Sequence, residues 1–350
     1  MSWDERKPFE EYQPLLKEPG KALGSIQKQL GRLLSPAGRL ELEQSFTAFS
    51  LFCEGDTDMV FYAAEDEDGR TMLCASVADL TAQLRATMWS RPQGMVLTSG
   101  TMAIGNDFHR FREETGLMAN GRVRESVSHS PFDYRANCLL YLPQFPPHIQ
   151  GKETAEYYNA LTEEITGLLD AAHGHALVLF NSYAAMSAVK DRLKKQDLKW
   201  PLFTMGRNAV HTTQLFKDSP GAVLLAAGPA WEGFDFSGDC VSLLVIPRLP
   251  FAYPDALKEK ERENYESLRE YIQAAIVPEM QIKLRQGFGR AIRTETDTCV
   301  IAILDERGKK RYREEMLAAL PTMRQTSSLR EVERFIRQRK DKDYYLEGCA

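Results

Sequence analysis

Six short apolar runs leave this chain little choice of fold. "GMVLTS", "NCLLYL", "HALVLF", "GAVLLAA", "CVSLLVI" and "CVIAIL" are each too short and too continuously apolar for a surface helix. Between them lie amphipathic helical patterns such as "KETAEYYNALTEEITGLLDAA" and "YAAMSAVKDRLKKQ". Strands apolar on both faces, alternating with helices, predict an α/β domain whose mostly parallel sheet is covered by helices on both sides. Ligands of such sheets sit outside the carboxyl ends of the strands, so the residues directly after each run are the ones to inspect.

The region ahead of these runs reads differently. Residues from about 8 to 50 carry apolar positions three and four apart, for instance Leu23, Ile26, Leu30 and Leu33, and are expected to be helical. "MVFYAAEDEDGRTMLCAS" reads as two strands joined by a turn at Asp68-Gly69. The acidic "EDEDG" lacks the later glutamate of a calcium loop and the preceding apolar strand end of a Mg²⁺-binding motif.

A chain of 350 residues with 43% hydrophobic content buries a large core, and its length suggests roughly two domains. It has no apolar run of the roughly 18 residues that cross a bilayer, and "MSWDERKPFEEY" lacks the build of a signal peptide. A cytoplasmic location and no membrane partner are the expectation. The net charge of -5 argues against a protein that holds nucleic acid by bulk charge, but an acidic first 80 residues and a basic Lys309–Lys342 segment leave room for a local contact. Six scattered cysteines with no C-x-x-C pair signal neither zinc nor an iron–sulfur cluster, and are expected to be reduced thiols.

After "GMVL" come Thr98, Ser99 and Thr101; after "ALVLF" come Asn181, Ser182 and Tyr183. Small hydroxyl residues in such places are commonly helix caps. After "AVLLAA" comes "GPAWEGFDFSGD", where Glu232, Gly233 and Asp235 set two carboxylates around a glycine, suited to sensing a metal-bound nucleotide or a partner arginine. In "LRQGFGRAIRTETD", Gln286, Arg290 and Arg293 fall at steps of four and three, which on a helix would aim all three into one space. Two guanidinium forks there suit phosphate oxygens, and Gly289 would admit a close neighbour. Spacing alone is more often the mark of a solvated helix face.

Taken in order, "VLTSGTMA", "SPFDYRANCLLYLP", "ALVLFNSYAAM", "AWEGFDFSGDCVSLLVIPRLPFAYP" and "QGFGRAIRTETDTCVIAILDERG" resemble the C-terminal helicase lobe of the DinG/XPD family of superfamily 2 DNA helicases, from about Met72 to Pro321. The resemblance makes "TSGT" motif III, "LFNSY" motif IV, "WEGFD" motif V and "QGFGRAIR" motif VI. It departs mildly at Asn181, where threonine is commoner, and at Phe234, where a smaller aliphatic is usual. It implies a RecA-like sheet, ATP with Mg²⁺ as cofactors, and single-stranded DNA as partner. Arg290 and Arg293 become arginine-finger and phosphate-sensor candidates, with Gln286 orienting them or the attacking water. Glu232, Gly233, Asp235 and Gly289 would couple nucleotide state to lobe closure, and Thr98, Ser99 and Thr101 would link it to the strand track. Ser182, Tyr183, Trp231 and Phe132 are candidate DNA contacts, although core packing suits each aromatic as well.

No G-x-x-x-x-G-K-[ST] phosphate loop occurs: Gly20-Lys21, Gly151-Lys152 and Gly308-Lys309 are followed by Ala22, Glu153 and Lys310. "LDERG", Asp305 to Gly308, has acidic residues at a strand end but follows motif VI, and reads as a decoy. The resemblance therefore implies a lobe inactive alone, whose partner is a phosphate-loop lobe on the same or another polypeptide. The expected organisation is an arch-like helical remnant with a hairpin (1–70), a connecting segment with motif III (71–118), the RecA-like domain (119–322), and a terminal helix and tail (323–350). A binding module that has lost the motor is the alternative.

"HGH", His173 to His175, fits an ordinary helix end better than a metal pair. "ALKEKERENYESLREYIQAA" reads as a salt-bridged solvated helix, and "SSLREVERFIRQRK" as a capped terminal helix.

Overall fold

The computed structural model describes residues 13–30, 33–54, 58–65, 70–91, 93–118, 120–128, 130–149, 153–196, 198–206, 209–236 and 238–346. The chain divides into two units, one of Met1–Gly94, Phe111–Asn120 and Tyr253–Tyr271, the other of Met95–Arg110, Gly121–Ala252 and Ile272–Ala350. No described helix is long and apolar enough to cross a membrane.

In the first unit, helices Gln13–Leu30 and Pro36–Glu54 pack on each other, and β1 (Met59–Glu65) pairs antiparallel with β2 (Thr71–Val77). The expected turn at Asp68-Gly69 lies outside the described residues. Phe52 of the second helix meets Phe61 of β1 edge-on, with centroids 5.3 Å apart, which ties helix to hairpin. Helix Ala256–Arg262 carries the expected ion pairs, Lys258–Glu261, Lys260–Glu263 and Arg262–Glu259, and lies against β1. The single helix expected there is interrupted before a further turn at Leu268–Tyr271.

The second unit holds seven strands: β3 (Cys138–Tyr141), β4 (Ala176–Phe180), β5 (Leu202–Thr204), β6 (Val223–Ala227), β7 (Leu243–Ile246), β8 (Cys299–Ile303) and β9 (Arg324–Thr326). Their order is β5-β6-β4-β7-β8-β3-β9 and every pairing is parallel. The apolar runs are continuous because both faces are covered. Leu140, Leu177, Leu179, Leu224, Leu244, Ile246 and Ile301 enter one core cluster, while Leu139, Val178, Phe180, Leu225, Val245 and Val300, offset by one residue, enter the other. The RecA-like parallel sheet with helices on both faces is thus the observed fold.

Five of the six apolar runs are strands of this sheet. The sixth, "GMVLTS", is a correction: Met95–Leu97 lies in neither sheet, and Val96 is 91% exposed. No described strand lies beside it to complete a ladder. Conversely, β5 and β9 were not expected, since three-residue edge strands such as Arg324-Gln325-Thr326 carry no apolar run. The terminal helix Leu329–Arg339 packs on Ala155–Ala172, but Ser328 makes no side-chain cap; Thr326 Oγ1 accepts from Ser328 N–H instead, at 3.1 Å.

"HGH" forms a left-handed corner, with φ of 57° at His173, 75° at Gly174 and 45° at His175. Its rings serve as packing surfaces. Tyr344 stacks on His175 at 4.0 Å and Tyr345 meets His173 edge-on at 4.8 Å. Burial pushes the His175 pKa below its ordinary value. Among the described residues no three metal-ligating side chains come together, and five free cysteines include buried Cys138 and Cys299. Burial pushes the Cys138 thiol up to about 12.

Candidate active site

From β4 the chain first adds β5 and β6 on one side, then returns to lay β7 on the other, so the carboxyl end of β4 is a topological switch point. Three loops meet there. Ser182 Oγ accepts from Ala185 N–H at 3.1 Å and caps helix Tyr183–Leu193, and Tyr183 beside it is 56% exposed. Asn181 Nδ2 donates to Leu249 O at 2.8 Å, fastening the loop after β7 to the end of β4.

The loop after β6 turns through Gly228–Trp231 and exposes Glu232 and Gly233, the latter at φ 81°. Trp231 is the anchor. It is 1% exposed and its Nε1–H donates to Phe180 O at 3.0 Å, which binds this loop to β4. Of the two readings open to it, base stacking is therefore corrected and core packing holds, since a ring 1% exposed has no open face. Phe132 is half-buried and edge-on to Tyr134, packed against the core.

Helix Val277–Phe288 lies against the same tryptophan through Gly287, where an added Cβ would sit 2.6 Å from the ring. Gly289 is not the close-approach glycine: it closes the helix at φ -61°, and a Cβ there would meet nothing nearer than 3.4 Å. Gly287→Ala should cost about 1–3 kcal/mol by overpacking, read as a lower denaturant midpoint at unchanged m-value. An unshifted midpoint would mean that the ring gives way freely.

The helix ends before Arg290, so the expected continuous stripe is not what gathers the arginines. A turn closed by Arg290 N–H to Gly287 O at 3.0 Å carries the chain onward, and the side chain of Asp297 then accepts from Arg293 N–H and Thr294 N–H, both at 2.8 Å. Both guanidiniums then converge on one carbonyl. Arg290 Nη1 donates to Phe234 O, Arg293 Nη2 reaches the same oxygen at 3.2 Å, and Arg293 Nε pairs with Asp235 Oδ1 at 2.9 Å. Arg290 Nε is buried and has no hydrogen-bond partner among the described residues. Burial, and then the charge of Arg293, hold the Arg290 pKa below the usual guanidinium range, while Asp235 and Glu232 oppose the shift. The two guanidiniums are balanced by Asp235 and Glu232, and what is left over is the Arg290 Nε–H donor. No hydrogen bond among the described residues joins half-buried Gln286 to either arginine.

The hydroxyls of Ser99 and Thr101 lie 3.2 Å apart, and Ser99 Oγ also accepts from Thr101 N–H. Thr98 precedes them on an exposed stretch. A residue missed in the sequence holds this segment to the arginine-bearing helix: Arg285 Nη1 donates to Ala103 O at 2.6 Å. Its signal was present in "LRQGFGR" as a third arginine, one position off the stripe. Asp305 is a hub rather than a metal ligand. Its buried carboxylate accepts Leu249 N–H at 2.8 Å and pairs with Arg307 at 2.7 Å.

A family model described as a helicase C-terminal domain matches residues 165–323. The ATP-dependent DNA helicase YoaA of Haemophilus influenzae is 28% identical over 335 residues, covering 91% of this chain and 51% of that protein. The ATP-dependent DNA helicase DinG of Photobacterium profundum is 31% identical over 268 residues, covering 73% of this chain and 38% of that protein. A solved XPD helicase superposes with a TM-score of 0.60 at 17% identity, covering 81% of this chain and 51% of that one, a likeness of fold alone. The chain thus spans about half, or less, of the length of these curated relatives.

Proposed function

Because the chain belongs to the DinG/XPD family of superfamily 2 DNA helicases, as a C-terminal helicase lobe, we propose that it supplies the arginine side of an ATP-hydrolysing, single-strand-translocating motor. The observation that supports this reading best is the convergence of Arg290 and Arg293 on Phe234 O with Arg290 Nε left over. ATP with Mg²⁺ supplies, when bound, a phosphoryl group whose transfer needs positioning and charge stabilisation. The arginine side fits that group, since planar forks present several donors to phosphate oxygens. No Mg²⁺ carboxylates are proposed on this lobe: among the described residues no three metal-ligating side chains come together, and Asp235 is engaged by Arg293. They and the phosphate loop would come from the other lobe, on this polypeptide or another.

In this mechanism Arg290 and Arg293 leave the Phe234 carbonyl to stabilise negative charge, which frees Asp235 and lets the Glu232–Asp235 loop move. That loop is anchored through Trp231 to β4, where exposed Ser182 and Tyr183 would meet the DNA strand, so charge at one end is felt at the other. Thr98, Ser99 and Thr101 would follow through Arg285. Gln286 and Gly289 are secondary members of the site.

The sequence lacks a phosphate loop, so the purified chain should hydrolyse ATP no faster than buffer, with or without single-stranded DNA. DNA-stimulated turnover by this chain, lost on Arg290→Ala, would overturn the half-motor reading.

A further inference from the structure

We infer that the carboxyl edge of β7, β8 and β3 carries a second contact surface for single-stranded DNA, with Phe145 stacking on a base and Lys310 and Arg311 meeting phosphates. The choice of partner rests on the functional reading above. The surface stands on its own observations.

Phe145 follows β3 in "LPQFPPH" and is 83% exposed. Exposure alone does not mark a ring, since Tyr253 is 85% exposed; what marks Phe145 is its held loop and its basic neighbours. The loop is held: Lys309 Nζ donates to Pro143 O at 3.2 Å and to Gln144 O, His148 pairs with Glu306, and Pro143, Pro146 and Pro147 restrict the backbone. A fixed loop presents its ring at little entropic cost on binding.

Beside it, Arg307, Lys309, Lys310 and Arg311 fall within five residues, with Glu306 before them. Lys309 is spent on the loop and Arg307 on Asp305, which leaves Lys310, 70% exposed and paired only at the surface with Glu306, and exposed Arg311. Rings and guanidiniums alternate here: Arg307 lies 4.6 Å over Phe251, Phe251 is 4.8 Å from Tyr312, and Arg311 lies 5.1 Å over Tyr312. In a chain of net charge -5, this is a local basic face with an open ring, the pairing that suits phosphates and unpaired bases. A duplex hides its base faces from Phe145. All seven strands of this sheet are parallel, so the loops that carry Phe145 and Tyr183 leave the same end of it, from strands three spacings or roughly 14 Å apart. A single strand covering about 4–16 nucleotides reaches both.

The test is fluorescence anisotropy of labelled oligo(dT) with the full chain at two salt concentrations. Phe145→Ala should weaken binding about tenfold, and Lys310→Glu with Arg311→Glu by at least as much, with a shallower salt dependence. The substituted side chains are exposed, so thermal midpoints should stay put and certify the fold. The inference is overturned if both variants bind as the parent does, if only Tyr183→Ala weakens binding, if the parent does not bind at the lower salt, or if a duplex or oligo(U) binds more tightly. None of these substitutions touches Arg290, so failure here is separate from failure of the motor reading, which ATP turnover reports.

Discussion

Arg290→Ala should lower DNA-stimulated ATP turnover of the complete two-lobe motor about 10³-fold or more, while the unfolding midpoint of this lobe barely moves. The size follows from what an arginine finger does, stabilising charge that develops only as the phosphoryl group transfers. The small change in stability follows from the contacts in hand. Arg290 keeps one carbonyl bond to Phe234 and leaves Nε unsatisfied, so its removal also relieves a buried donor and a like charge beside Arg293. Arg290→Lys should fail almost as badly, because an ammonium lacks the planar fork. Arg293→Ala should also slow turnover; its pair with Asp235, at 34% and 68% side-chain exposure, contributes no more than about 1 kcal/mol to stability. Full turnover in Arg290→Lys would make the pair structural.

Gly174→Ala should be the most damaging small substitution in the sheet unit. An added Cβ would lie 2.0 Å from Gly221 O and 2.8 Å from the Trp200 ring, at a left-handed φ of 75° between two residues already left-handed. A backbone oxygen cannot rotate away as a side chain does. Strain and overpacking together should cost about 3–5 kcal/mol, measurable by denaturant unfolding. A loss under about 1 kcal/mol would show that the corner re-forms in another conformation.

The sheet was legible where burial on both faces wrote long apolar runs, as in "HALVLF" and "GAVLLAA". Its edges were not: β9 is Arg-Gln-Thr, stabilised by its neighbour rather than by its own residues, and "GMVLTS" has strand composition without a partner. At the site, residue types and spacing brought Arg290, Arg293 and Asp235 to attention, and the structure does gather them. The means was not legible. The helix stops at Phe288, and a turn completes what the spacing ascribed to one helical face. Between base stacking and core packing for Trp231 the sequence offered no choice; its burial, the hydrogen bond to Phe180 O and the notch at Gly287 make it core.

Met95–Leu97 has a consequence for anyone handling these residues as a separate polypeptide. An extended apolar stretch outside any ladder, with Val96 almost fully in water, is a template on which identical molecules can pair. Yield and storage concentration would then be limited by self-association through this segment. A charged residue at position 96 would raise that ceiling.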